Sequence, residues 1–187
     1  MIALHPTLLK TAFVYFAKYP LKEGVIKSMF RIGSASLDGY NELRQEINAL
    51  NPNSLLPEIV NFLFSANEDK LKTEIEDTDG IFMLLDYGQI SSSTDNLNRH
   101  NDSMELGIII AQKLIPDNYD MAQMLILQDK LLNLIRSIRE TMIEDSKCSP
   151  FVKQLTLPHQ INPWYARELS NATGFSMTFN KSGYDLI

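Results

Sequence analysis

Asp86 and Glu105 are the two carboxylates whose surroundings come nearest to a catalytic pair. Asp86 follows the apolar run IFMLL, and Glu105 lies within MELGIIIAQKLI. Two carboxyl groups facing one bond can divide acid and base work between them, as glycosidases do, when their environments push their proton affinities apart. Nothing in the surrounding residues singles these two out, and Asp86-Tyr87-Gly88 reads more economically as a strand end turning into a loop. The three histidines, His5, His100 and His159, stand far apart, and Cys148 is the one cysteine. A zinc site draws closely spaced pairs of Cys and His ligands, so no metal is expected. A nucleophilic thiol needs an activating base, and Cys148 has Lys147 and Ser149 as neighbours. Glu74, Glu76, Asp77 and Asp79 crowd a turn without the glycine and ligand order of a calcium loop. Ser91-Ser92-Ser93 has no partner base, and the GxSxG, Walker and GxGxxG patterns are absent. The residues therefore point away from an enzyme and from any cofactor.

Composition narrows the partners. The 187 residues carry a formal charge of −6, with 44% hydrophobic and 21% charged side chains, the usage of an ordinary folded domain. Lys and Arg are scattered, and Arg136 and Arg139 sit beside Glu140 and Glu144, so there is no basic stripe for a phosphate backbone. Lys10 and Lys18 interrupt the apolar first twenty residues, unlike a secretory signal, and no run approaches the roughly 20 residues of a membrane span. A cytoplasmic protein, or a component of a particle released by lysis, is expected.

The elements that hold these residues follow from periodicity. Leu8, Leu9, Ala12, Phe13, Phe16 and Ala17 share one side of a helical wheel between Pro6 and Pro20. VIKSMFRI reads as a strand, NELRQEINAL as a short helix, and EIVNFLFSA as a strand or short helix followed by a turn at residues 67–70. IFMLLDYGQI reads as a central strand with both faces covered, because its apolar run is continuous. Residues 91–102, SSSTDNLNRHND, read as a long exposed loop between that strand and MELGIIIAQKLI, the whole forming an extended hairpin. Met121, Met124, Leu125, Gln128, Leu131, Leu132, Ile135, Ile138 and Met142 recur at helical spacing behind Asp120, predicting a capped helix over about 120–145 that packs along the sheet. Val152, Leu155 and Leu157 predict a strand, and Phe175, Met177 and Phe179 another. Pro163-Trp164-Tyr165 falls in a loop between them, where large amphipathic rings serve either as interface anchors or as a lid over the domain's own core. The expected fold is a single α+β domain. A small, mostly antiparallel sheet carries the long helix and the N-terminal helix, with residues 1–53 as a helical extension of a core over 54–187.

The stretch GIFMLLDYGQISSSTDNLNRHNDSMELGIIIAQKL, the helix containing LILQDKLLNLIRSIRETMIED and the terminal NATGFSMTFN together resemble phage tail terminator, or tail completion, proteins and prophage-encoded relatives in Bacteroides-type bacteria. The resemblance covers roughly residues 54–187 and lies in element order. It implies a structural subunit that self-associates into a ring and meets other tail or neck proteins, with no catalytic residues. Ring contacts join different faces of successive copies, which makes Asn98, Arg99 and His100 in the loop, with Trp164 and Tyr165, the candidate interface. A monomeric binding or regulatory module of the same fold, or a small enzyme with an unrecognised site, are the competing classes.

Overall fold

The computed structural model describes residues 8–33, 36–50, 53–64, 68–94, 100–115, 119–153, 155 and 160–183. His5, Asn98, Arg99, Leu157 and His159 lie outside them. Five strands form one sheet in the order β1-β2-β3-β5-β4: β1 is Ile59–Phe64, β2 Ile81–Thr94, β3 His100–Gln112, β4 Gln160–Ala166 and β5 Ala172–Gly183. β1 runs parallel to β2, and every other pairing is antiparallel. The α+β class with a mostly antiparallel sheet is as the sequence predicts.

Side-chain alternation along the strands divides the core in two. Ile81, Met83 and Leu85 of β2, Met104, Leu106, Ile108 and Ile110 of β3, and Met177 and Phe179 of β5 face the larger cluster. Phe82 and Leu84, with Ile109 and Ala111, face the smaller one on the other side, under α4 (Glu68–Glu76). The continuous apolar run of β2 is thus covered on both faces. Each buried Leu, Ile or Phe contributes about 1.5–3 kcal/mol relative to its exposed state.

The larger cluster is roofed by α1 (Leu8–Phe16) and α5 (Met121–Asp145). Ala12, Phe13 and Phe16 are buried there, with Phe13 stacked on Phe62 at 4.9 Å and Phe16 against Phe179 at 5.7 Å. The segment 1–53, read as an extension, therefore supplies part of the same core. Asp120 caps α5 as expected: its carboxylate accepts from the Gln123 N–H at 2.8 Å, and the Gln123 side chain accepts from the Asp120 N–H at 2.9 Å.

Several predicted elements are corrected. The VIKSMFRI run is part of a helix, α2 (Lys22–Met29), because it lies along β1 with Val25 buried and its Gly24 pressed on the strand backbone. NELRQEINAL, by contrast, is helical as predicted, α3 (Tyr40–Ala49). Residues 68–70 open α4 instead of forming a turn. Phe151 and Val152 are buried on a short helix, α6 (Pro150–Lys153), where a strand was expected. Pro163-Trp164-Tyr165 belongs to β4, since proline is tolerated where a strand has a neighbour on one side only. The loop 91–102 is largely hairpin: Ser91–Thr94 pair with His100–Ser103, leaving residues 95–99 outside the described chain.

Candidate assembly interface

The sheet treats its edges unequally. On the β1 side, α2 lies against the strand: Leu21 N–H donates to the Ile59 carbonyl at 2.8 Å and Ser28 Oγ to the Phe62 carbonyl at 2.6 Å. Gly24 allows this approach, because a Cβ there would stand 1.8 Å from the Val60 oxygen. β1 ends opposite Leu85, so among the described residues β2 continues from Asp86 with a strand neighbour on the β3 side only. At the other margin, β4 pairs with β5 through Gln160–Ala166, and among the described residues no strand lies beyond it.

β4 separates the two aromatic candidates. Trp164 turns to the smaller core cluster and packs beside Leu169, a lid over the chain's own interior. Tyr165 points to the opposite face and is 56% exposed, with the Arg167 guanidinium 6.0 Å from its ring centre. His100 opens β3 opposite Thr94, far along the hairpin from both. Of the described candidates, Trp164, Tyr165 and His100, the structure brings no two into one patch.

The sequence missed a third surface. Met121, Leu125 and Ile126 on the first two turns of α5 are 86%, 71% and 68% exposed, although the helical spacing assigned Met121 and Leu125 to the core face. The reason is the turn of the helix: at about 3.6 residues per turn Leu125 and Ile126 fall on the far side of α5 from the buried series Leu127, Leu131, Leu134, Ile135, Ile138 and Met142, and Met121 falls at its margin. Gln128, on the same flank as Leu125, donates to Thr173 Oγ1 of β5 at 2.7 Å. That flank therefore leans towards the β5–β4 side.

Asp86 and Glu105 share a sheet face as diagonal neighbours: Asp86 pairs with Gly107 and accepts from the Tyr87 N–H at 3.0 Å, while the exposed Glu105 lies over Gly88. A cavity of about 300 Å³ between α2, β1 and α4 is lined by charges of both signs, including Lys27, Arg31, Glu74 and Asp77. Three of these charges are paired within the wall: Arg31 Nη2 stands 2.7 Å from Glu74 and 3.7 Å from Asp77. Among the described residues no group of His, Cys, Asp and Glu could hold a metal ion, and Cys148 is exposed and free.

The strongest electrostatic cluster is a clasp between α1 and α5. Tyr15 Oη donates to Asp145 Oδ2 at 2.7 Å, Lys18 Nζ is ion-paired to the same oxygen, and Tyr19 Oη lies 3.3 Å from Tyr15 Oη. Burial would raise the Asp145 carboxyl, but hydrogen bonds from Lys18 and Tyr15 more than offset it and hold it below its ordinary value. Burial drives both tyrosine hydroxyls well above theirs, reinforced at Tyr15 by the neighbouring Tyr19. The lysine also covers the Tyr15 ring at 4.0 Å. This arrangement fixes the helix to the core.

Neither a protein-family model nor a curated protein sequence matches the chain. Among the described residues no helix is long and apolar enough to cross a membrane.

Proposed function

We propose that this chain is a structural subunit of a phage-like particle, a tail terminator or head-to-tail neck protein that works by forming a ring of identical copies. One observation carries the reading: among the described residues, a single sheet leaves two strand edges open on opposite sides, at β4 and at the distal half of β2. Open edges on opposite sides let every copy use a different face towards each neighbour, as a ring requires. The exposed apolar start of α5 adds surface that association would bury. The chain would then act by shape, capping a tube and offering its other face to the next component of the particle.

Negative-stain electron microscopy of the purified chain tests this. Closed rings with one predominant subunit number are expected, and particles no larger than a single chain across the accessible concentrations would overturn the proposal.

A further inference from the structure

A strand edge is a row of N–H and C=O groups open to another strand, and proteins guard such rows with charge, proline or a covering element. β1 is covered by α2. Among the described residues the two uncovered segments are Gln160–Ala166 of β4, guarded by Pro163 alone, and β2 beyond Leu85, where Asp86 is the one charged side chain and residues 88–93 carry none. Pro163 fixes which groups of β4 face outwards. Having no N–H, it cannot donate to β5, so it takes an outward-facing position, and Ile161 and Tyr165 share that alternation. The free edge therefore offers the N–H groups of Ile161 and Tyr165 and the carbonyls of Ile161, Pro163 and Tyr165.

We infer that β4 of one copy pairs antiparallel with residues 88–93 of β2 in the next, joining successive copies head to tail through a continuous sheet. The inference rests on the ring reading and names its contact. Strand direction favours it: β2 and β5 run one way, β3 and β4 the other. A copy related by rotation about an axis inclined to the strands, as in a closed barrel, thus presents β2 antiparallel to β4 without being inverted. Pairing of β4 with itself about a two-fold axis centred on Pro163 would set two carbonyls against each other with no N–H between them.

The contact is staggered. Pro163 aligns through Phe175 and Ile110 with Met83, about seven residues short of the middle of 88–93, or about 23 Å at strand rise. One step from β2 across β3, β5 and β4 to the next copy covers about 19 Å at ordinary strand spacing. Each copy then rises by about as much as it steps sideways, the relation that tilted strands have in a closed barrel. A strand laid on β4 would also run beside the exposed Tyr165.

Cysteine crosslinking decides the matter. In a Cys148→Ser background, Asn162→Cys and Ser91→Cys place thiols at exposed positions on β4 and on distal β2. Treated with a short bismaleimide, the double variant is expected to give a ladder on a denaturing gel whose top band counts the ring, and each single variant none. Crosslinking of Asn162→Cys alone would show β4 meeting β4 and overturn the inference. Association by light scattering without a ladder would overturn this contact while leaving the ring reading standing, and a single-chain mass throughout would overturn both.

Discussion

Asp145 ends α5 with a negative charge where the helix dipole is already negative, so the residue is unfavourable unless a cation answers it. Tyr15 of α1 and Lys18 in the turn after it supply that answer. Asp145→Asn should lower stability by about 2 kcal/mol, the scale of a hydrogen bond to a charged group, as read by urea denaturation. The acid dependence has a definite sign. Because the folded carboxyl sits below its ordinary value, its contribution is complete above about pH 4 and is lost as the pH falls through the folded value. The melting temperature should therefore drop on acidification by more in the wild type than in Asp145→Asn. The raised Tyr15 and Tyr19 hydroxyls act in the opposite direction: their contribution is complete below about pH 10 and declines as the pH rises towards their folded values. This clasp joins residues more than 120 positions apart, and no local pattern in the sequence announces it. Ser170 and Asn171 in the β4–β5 turn both have positive φ, 55° and 52°. Asparagine tolerates that conformation better than serine, so Ser170→Gly should raise stability by up to about 1 kcal/mol in the same assay.

At the scale of elements, α5 carries two surfaces of different kinds. Leu131 is fully buried, and Leu131→Ala should cost about 2–5 kcal/mol. Leu125 is largely exposed, and Leu125→Ser should change monomer stability by no more than about 0.5 kcal/mol while weakening association measured by sedimentation. An equal loss of stability in both variants would place Leu125 in the core after all. Six residues separate the two, which puts them about a third of a turn apart on the helix, and apolar residues on the exposed side make the stripe look wider than the face that packs. β2, β3 and α5 were legible because each is long and its pattern strong. α2 was not, since eight residues hold barely two turns and Val25, Ile26 and Phe30 look as much like a strand. β4 was concealed by Pro163, which disqualifies a central strand and suits an edge. Residues 91–94 and 100–102 read as loop because Ser, Thr, Asn and Asp dominate them, yet a hairpin beyond the core needs no apolar face to remain paired.

Across the whole molecule, composition established a folded domain and argued against nucleic acid, while the arrangement of edges emerged only from the topology. Among the described residues, the order β1-β2-β3-β5-β4 places α2 over one edge and leaves β4 and the distal part of β2 open on opposite sides. Asp86 and Glu105 lie on one sheet face, and in the polar cavity Arg31 is paired with Glu74 and Asp77. On the ring reading, the distal hairpin joins successive copies. The most direct test of that reading is the solution mass from light scattering across a concentration series, for the wild type and for a variant with residues 91–102 replaced by Asn-Gly. The account predicts a discrete multiple of the chain mass for the wild type and a single-chain mass for the variant, with helix content retained in both. A multimer that survives removal of the hairpin, or a wild type that stays a single chain at every concentration, would contradict it.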